Sequence, residues 1–281
     1  MTTRVLSLAE QGHERLGDAV EHAWCAAWAS LGYDGTTHVE DSPQLLRVVT
    51  PTSHDLLLNA ILRYRGTAPV TRAEVEAALA PHRAVCRPPQ WWLRLGSEPT
   101  GLRDRLYEVG MRVWGTPTGM ALPLVGVPVA PPLEDAELVL GRARRFDDVE
   151  AALHIITEVF DLDAAPMRRW CVSNPRFMTY LALARGTPAA ALVMQVSGGI
   201  AGFFQVATLP RFRRRGIAQA LMQHALGDAQ AFGATTAALT ASAMAEGLYA
   251  RLGFIPCCTF EQWMPGTALM SAICYPFPRA R

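Results

Sequence analysis

Residues 206–222 read VATLPRFRRRGIAQALM and contain the most informative pattern in the sequence. The stretch begins as the end of a predicted strand and finishes as the first turns of a predicted helix, with three consecutive arginines in the turn between them. The first turn of a helix has unpaired backbone N–H groups and a positive partial charge, so it binds phosphate groups. The small residues Gly216 and Ala218 would let a phosphate approach the backbone, and the arginines add positive charge. The stretch therefore predicts a strand, a phosphate-binding turn and a helix.

Strands and helices alternate on both sides of this stretch. Between residues 137 and 264, apolar spacing and turn signals predict the order β-α-α-β-β-β-α-β-α-β. This order is typical of the α/β class, here an α+β mixed sheet with helices on its faces. Asp147 and Asp148 are the predicted N-cap residues of the first helix. The predicted strands are 138–140, 178–184, 189–196, 200–209, 235–240 and 254–264, and the predicted helices are 149–160, 166–170, 216–232 and 243–252.

Length, composition and charge limit the class of protein. The chain has 281 residues, enough for about two domains. Hydrophobic residues make up 50% and charged residues 18%, which excludes a disordered chain. Because no apolar run could span a bilayer and the N-terminus lacks the apolar core of a signal peptide, we expect a cytoplasmic protein with no membrane partner. The net charge of +1 provides no basic field, so we expect no DNA partner.

Residue usage excludes two further kinds of chemistry. All 26 basic residues are arginines, which excludes a Schiff-base lysine and a P-loop lysine. None of the cysteines forms a CxxC pair, and no histidine lies at zinc-ligand spacing from a cysteine pair. The sequence therefore predicts no metal site. The six cysteines are Cys25, Cys86, Cys171, Cys257, Cys258 and Cys274.

A proline-rich segment at residues 123–135 predicts an extended linker between two domains. The predicted domains are residues 1–130 and residues 135–281. In the first domain, Trp24 and Trp28 lie four residues apart on a predicted helix and are expected to face the core. The predicted helices there are 19–31, 73–80 and 101–109, the predicted strands are 45–49 and 90–95, and residues 55–63 are irregular or a short helix.

Two motifs in the second half resemble those of the GNAT superfamily of acyl-CoA-dependent N-acyltransferases. The turn at residues 213–218, RRRGIA, resembles the family signature Arg/Gln-x-x-Gly-x-Gly/Ala. Residues 242–254, SAMAEGLYARLGF, resemble the second family motif, a helix that ends Leu-Tyr-x-x-Leu-Gly-Phe. The resemblance covers about residues 137–264. It implies a GNAT fold for the second half and acetyl-CoA or another acyl-CoA as the co-substrate.

The resemblance also implies roles for particular residues. Tyr249 stands where the family usually has its general acid, which would protonate the departing thiolate or donate a hydrogen bond to it. The pantetheine arm would pair with the strand end much like an added strand, while backbone N–H groups of residues 214–218 would hold the pyrophosphate. A backbone N–H near residue 207 would polarise the thioester carbonyl. The predicted acyl-CoA-binding residues are Val206, Ala207, Thr208, Arg213, Arg214, Arg215, Gly216, Ile217, Ala218 and Ser242.

The sequence departs from the family pattern at two places. Many members have an acid on the strand before the pyrophosphate turn as general base, but residues 200–209 contain no Asp or Glu. The base is therefore open between a water chain, Glu158 and Asp161. Ser242 replaces the asparagine usually found seven residues before the tyrosine. A purely structural alternative makes the arginines a solvated helix start and Tyr249 a core aromatic.

An internal similarity suggests that the first half is a second copy of the same fold. Residues 106–111, LYEVGM, are similar to residues 248–254, LYARLGF, and each segment follows a predicted strand. No Arg-x-x-Gly-x-Gly/Ala occurs before residue 134. We therefore expect a degenerate GNAT-like N-terminal half that has lost acyl-CoA binding. Its tryptophans either fill its own core or shape the acceptor cleft.

The leading functional hypothesis is an N-acyltransferase that moves an acyl group, most commonly acetyl, from acyl-CoA to a primary amine of a small molecule by direct attack. One alternative is a GNAT-like transferase that uses aminoacyl-tRNA as donor, against which the near-neutral charge counts. Another is a non-catalytic CoA-binding regulatory protein, because fold alone does not prove function. The sequence predicts neither the acceptor nor the oligomeric state.

Overall fold

The computed structural model describes residues 8–125 and 137–267, with side chains from residue 12 onward. The chain divides into two compact units. Unit 1 holds residues 1–27 and 118–258, and unit 2 holds residues 28–117 and 259–281. Each unit thus contains residues from both halves of the chain. The predicted boundaries at 130 and 135 lie in residues 126–136, outside the described residues, and stay a prediction.

The described residues form a mixed α/β fold with twelve strands and seven α-helices, which confirms the predicted class. The strands are β1 His38–Asp41, β2 Leu45–Val49, β3 Ala60–Tyr64, β4 Gln90–Arg94, β5 Met111–Gly115, β6 Thr118–Pro123, β7 Leu138–Arg142, β8 Phe177–Ala184, β9 Thr187–Ser197, β10 Ile200–Thr208, β11 Thr236–Ala241 and β12 Ile255–Pro265. The helices are α1 Leu8–Ala29, α2 Arg72–Ala84, α3 Leu102–Glu108, α4 Phe146–Phe160, α5 Ala164–Met167, α6 Ile217–Ala231 and α7 Glu246–Arg251. None of these helices is both long and apolar enough to cross a membrane.

Unit 1 contains both sequence motifs on a mixed sheet. Its strands lie in the order β6-β11-β10-β9-β8-β7. Neighbours are antiparallel except β10 and β11, which run parallel because α6 connects them. The segment Ala189–Met194 of β9 is fully buried because α4 and α6 both pack on this strand. Helix cover therefore holds the centre of the sheet rigid beneath the motif-bearing turns.

Unit 2 has its own core around two fully buried tryptophans, Trp91 on β4 and Trp263 on β12. Its strands follow the order β1-β2-β3-β4-β12-β5, and only β3 and β4 are parallel. Trp28 is also buried in this unit, where its Nε1 donates to the carbonyl oxygen of Leu57 at 2.9 Å. Packing within unit 2 therefore accounts for these aromatic residues.

Several predicted boundaries need correction. The N-cap of α4 is Arg145, and Asp147 and Asp148 lie in the first turn, where carboxylates still favour the helix dipole. The second motif begins its helix at Glu246 rather than at residue 243, because residues 243–245 form a turn closed by the carbonyl of Ser242. Strands β3 and β6 were not predicted. Both are buried along nearly their whole length, so they lack the alternation that reveals a strand.

Candidate active site

The predicted site residues converge on one cavity of about 700 Å³ within unit 1. The cavity is framed by β10, the turn after it, the start of α6, and the segment from the end of β11 through α7. Its position at the carboxyl ends of two parallel strands is typical of ligand sites in such sheets. Nine of the eleven predicted residues line it, namely Val206, Thr208, Arg213, Arg214, Gly216, Ile217, Ala218, Ser242 and Tyr249.

Two predicted residues do not line the cavity with their side chains. The Ala207 side chain is buried in the sheet, where the residue pairs with Ala191 of β9. The Arg215 guanidinium lies over the ring of Phe212 at 5.7 Å, as does that of Arg211 at 5.1 Å. Arg211 and Arg215 therefore pack on Phe212, and Arg213 and Arg214 are the arginines of the turn that line the cavity.

The turn leaves a helix N-terminus open towards the cavity. Gly216 is the N-cap of α6 with φ +75°, and no side chain caps the helix. In the described part of the chain, the first backbone N–H of this helix to reach an acceptor is that of Ala220, which donates to Gly216 O at 2.9 Å. Arg214 also has a left-handed conformation, with φ +59°. Uncapped N–H groups and a helix dipole of this kind are features that favour anion binding.

The two parallel strands beside this turn separate as they approach the cavity. Only residues 200–202 of β10 pair with residues 236–238 of β11. A β-bulge interrupts the pairing of β10 with β9 between Phe204 and Ala207, and Gln205 in the bulge has φ +51°. The splayed strands therefore leave backbone groups at the edge of β10 for an extended ligand, as the family resemblance implies.

Tyr249 lies on the wall of the same cavity. Its ring packs edge-on against Phe254 at 5.9 Å, and burial raises the pKa of its phenol to about 12. In the described residues its hydroxyl has no protein hydrogen-bond partner, and the side chain lines the cavity. Tyr249 is therefore protonated at neutral pH and can only donate a proton or a hydrogen bond to a developing anion.

Neither proposed carboxylate base reaches the cavity. Glu158 pairs with His154 Nε2 at 3.3 Å, and Asp161 is the left-handed C-cap of α4. Their neighbours Val159 and Phe160 line the cavity instead. Among the described lining residues there is no Asp, Glu or His. Neither carboxylate among the three alternatives for the base therefore lines the cavity, and the identity of the base stays a prediction.

Trp24 and Gln205 are two of the thirteen lining residues that the sequence did not predict as part of the site. Trp24 of α1 packs edge-on against Phe204 at 5.7 Å and faces the cavity, although helical spacing had assigned it to the core. Gln205 lines the cavity because the bulge turns its backbone into the left-handed region. The bulge at residues 204–207 contains no glycine that would signal it in the sequence, and the contact of Trp24 with residue 204 is remote in sequence.

Residues 147–254 match the model of the Acetyltransferase (GNAT) family. The chain therefore contains a GNAT acetyltransferase domain, whose general activity is acyl transfer from an acyl-CoA co-substrate. No curated protein is similar enough in sequence to match this chain.

Solved GNAT structures share the fold over most of the chain. A GCN5-related N-acetyltransferase from Kribbella flavida is 25% identical with a TM-score of 0.65, covering 85% of this chain and 94% of that one. One from Sphaerobacter thermophilus is 18% identical with a TM-score of 0.58, covering 89% and 94%. A tandem GNAT protein from the clavulanic acid biosynthesis pathway is 14% identical with a TM-score of 0.56, covering 88% and 94%. These likenesses confirm the predicted GNAT fold and the GNAT-like first half.

Proposed function

We propose that the GNAT domain transfers an acetyl group from acetyl-CoA to a primary amine of a small molecule by direct attack. The observation that carries this proposal is the meeting of three features in one cavity: the uncapped N-terminus of α6, the unpaired edge of β10, and Tyr249. The N-terminus of α6 would bind the pyrophosphate, and the unpaired edge of β10 would bind the pantetheine arm. The Tyr249 hydroxyl would donate a hydrogen bond to the thioester sulfur.

The charged end of the cavity suits the pyrophosphate. Backbone N–H groups of residues 214–218 would donate to its oxygens, and the side chains of Arg213 and Arg214 would add charge-assisted hydrogen bonds. Arg213 is already held near the strand end because its Nε donates to Thr208 O at 3.1 Å. Fixed donors of this kind would bind the co-substrate with little ordering of the protein.

The reaction forms a carbon–nitrogen bond and breaks the carbon–sulfur bond. The amine nitrogen would attack the thioester carbonyl carbon, and a backbone N–H near Ala207 would stabilise the oxyanion. Because burial raises the pKa of Tyr249 to about 12 and the pKa of a thiol is about 8.5, transfer of its proton to the thiolate would be uphill by about 3.5 pKa units. Tyr249 would therefore stabilise the leaving thiolate by donating a hydrogen bond, and solvent would supply the proton.

Direct attack is favoured because the described cavity wall contains no activated nucleophile. No cysteine or histidine lines it, and the hydroxyls of Thr208, Thr240 and Ser242 have no carboxylate or imidazole base among the lining residues. An acyl-enzyme would need such a pair. We therefore expect both substrates to be bound before either product leaves, which gives intersecting rather than parallel lines in double-reciprocal plots.

The test is thiol release from acetyl-CoA by the full chain with a panel of amines, combined with mass spectrometry of the products. An increase of 42 Da on an amine, the mass of an added acetyl group, together with an intersecting kinetic pattern, is the expected result (about one acetyl per turnover). If CoA binds but no amine is acetylated, a regulatory role replaces the proposal. If only aminoacyl-tRNA serves as donor, the tRNA-dependent alternative replaces it.

A further inference from the structure

The cavity has an apolar end, formed by Trp24, Val159, Phe160, Phe203, Phe204 and Gln205. Strand β10 runs from Phe203 towards the phosphate-binding turn, so these residues lie at the end remote from that turn. With the pyrophosphate at the turn and the pantetheine arm along β10, the acyl carbon and the acceptor amine would meet here. The inference that follows rests on the proposed function and concerns the chemical class of the acceptor.

The apolar end is a packed aromatic wall. Phe204 lies at its centre and makes edge-on contacts with Trp24 at 5.7 Å, Trp170 at 5.4 Å and Phe177 at 5.8 Å. All four rings belong to unit 1, and Trp170 and Phe177 are buried behind the wall. Their mutual edge-on packing fixes the ring orientations, so the wall offers a preformed apolar lining for an aromatic or otherwise apolar acceptor.

The described lining residues offer no anionic partner to a cationic acceptor. The ionised side chains among its described lining residues are Arg213, Arg214 and Arg251, and all three are positive. Glu246, the acid nearest in sequence to Tyr249, instead accepts a hydrogen bond from Thr118 Oγ1. An ammonium group entering the apolar end would lose its hydration and meet no carboxylate, which is costly.

We propose that the acceptor is an aromatic or otherwise apolar amine of low basicity, uncharged at neutral pH. Such an amine has its lone pair available, so no residue needs to remove a proton before the attack. Once the carbon–nitrogen bond has formed, the nitrogen is strongly acidic and loses its proton to water, while the thiolate leaves beside Tyr249. An uncharged, apolar amine would thus explain why the described end of the cavity has an apolar wall, no carboxylate and no general base.

Gln205 is the uncharged polar side chain at this end. Its left-handed backbone, φ +51°, is uncommon for a residue other than glycine, asparagine or aspartate, and such outliers cluster at functional sites. The carboxamide oxygen would accept a hydrogen bond from the amine N–H and thereby aim the lone pair at the acyl carbon. Because an amide carries no charge, Gln205 would do so without favouring an ammonium ion.

The first experiment compares 4-methylaniline with benzylamine, two isomers of equal size of which only benzylamine is strongly basic. The full chain is assayed with acetyl-CoA at pH 7 for kcat/KM, and each amine is titrated into the protein–CoA complex by calorimetry. We expect 4-methylaniline to be favoured by at least about tenfold in both measurements. A binding or kcat/KM preference for benzylamine overturns the inference and leaves the proposed function standing. Failure to acetylate any amine overturns the proposed function itself.

The second experiment supplies the missing charge. Gln205→Glu should shift the kcat/KM ratio towards benzylamine by about tenfold, since a carboxylate would pair with its ammonium. Gln44→Glu makes the same change of charge at an exposed position of unit 2 that does not line the cavity, and should leave the ratio unchanged. An unchanged ratio in Gln205→Glu with normal melting removes Gln205 from the site. If hexanoyl-CoA is used in preference to acetyl-CoA and excludes 4-methylaniline, the apolar end holds the acyl chain and the proposal fails.

Discussion

The two units repeat one strand-and-helix order but differ at the first turn of the crossover helix. In unit 1, β9 and β10 are antiparallel, α6 connects β10 to the parallel strand β11, and α7 follows. In unit 2, β2 and β3 are antiparallel, α2 connects β3 to the parallel strand β4, and α3 and β5 follow. Helices α3 and α7 even end in the same way, with left-handed glycines Gly110 and Gly253. The degenerate half has therefore kept its topology.

The anion site distinguishes the two crossover helices. The N-terminus of α6 is uncapped, whereas α2 has a capping box in which Thr71 Oγ1 accepts from Glu74 N and the Glu74 carboxylate accepts from Thr71 N. Hydrogen bonds from Thr67 and then Thr71 lower the pKa of Glu74 to about 2. At the N-terminus of α2 the ionised Glu74 carboxylate already interacts with the helix dipole, so it would repel a phosphate. The two crossover helices therefore differ in whether their N-terminal N–H groups are already satisfied by a side chain.

The two tyrosines of the repeated motif, Tyr249 and Tyr107, also differ in whether they face the cavity. Tyr249 is 6% exposed and lines the cavity, whereas Tyr107 is 47% exposed. Tyr107 packs edge-on over Trp263 at 4.7 Å and lies beneath the guanidinium of Arg112 at 5.6 Å. In unit 2 this residue covers a buried tryptophan, while in unit 1 it faces the predicted reaction centre.

The largest expected effect is on co-substrate binding at Gly216. Gly216→Asn tolerates the left-handed backbone but adds a side chain where the pyrophosphate approaches, so we expect the Kd for CoA to rise by about 100-fold or more. Gly227→Asn is the matched control on the same helix, where an added Cβ has nothing within 4 Å. The measurement is calorimetric titration with CoA. Equal affinity in the two variants would remove the turn from the binding site.

The next effect concerns acid stability, which we expect to be lost through unit 2. His82 is buried and its Nε2 donates to Val48 O at 3.0 Å, and burial lowers its pKa to about 4. The unfolded chain takes up this proton near pH 6.5, so the stability from neutral His82 is present above pH 6.5 and is lost as the pH falls towards 4. Between pH 7 and pH 5 the loss is about 2 kcal/mol. Denaturant titrations should show a weaker pH dependence in His82→Gln, and an identical dependence would contradict the assignment.

The following comparison is Tyr249→Phe against Tyr107→Phe. A hydrogen bond to a charged group contributes about 1.5–3 kcal/mol, so loss of the Tyr249 hydroxyl should lower kcat by about 10- to 100-fold. The Kd for CoA should change little, because the thiolate forms only during the reaction. Tyr107→Phe should leave both constants unchanged. A full kcat in Tyr249→Phe, with acetyl transfer shown to be rate-limiting, would exclude the hydrogen bond to the leaving group.

The sequence predicted those parts of the site that are local along the chain. The turn at 213–218 and the segment at 242–254 each place their residues by their own spacing, so Gly216 and Tyr249 could be found without a structure. Trp24 could not, because its position depends on how α1 packs against β10. Glu158 and Asp161 were two of the three alternatives for the general base, but their neighbour Phe160 lines the cavity and they do not. Side-chain direction at a helix end depends on tertiary packing that spacing does not encode.

The smallest effect is expected from a change that makes the N-terminus of α6 more like that of α2, whose third residue is an acid. Gln219 is the third residue of α6 and lines the cavity, and its counterpart in α2 is Glu74. Gln219→Glu would place a carboxylate at the helix N-terminus, where it satisfies the dipole and repels the pyrophosphate. We expect the Kd for CoA to rise about tenfold at low ionic strength and by less at high salt, because exposed charges are screened.

Gln219→Leu is the control for that change, since it removes the amide without adding charge and should alter the Kd much less. The helix itself should melt no lower in Gln219→Glu, because an acidic residue in the first turn stabilises it. A salt-independent loss of affinity, equal in the Glu and Leu variants, would show that the amide of Gln219 is a direct ligand. The difference in expected phosphate binding between α6 and α2 would then be due to a hydrogen bond from the side chain at this position, and not to the charge of that side chain.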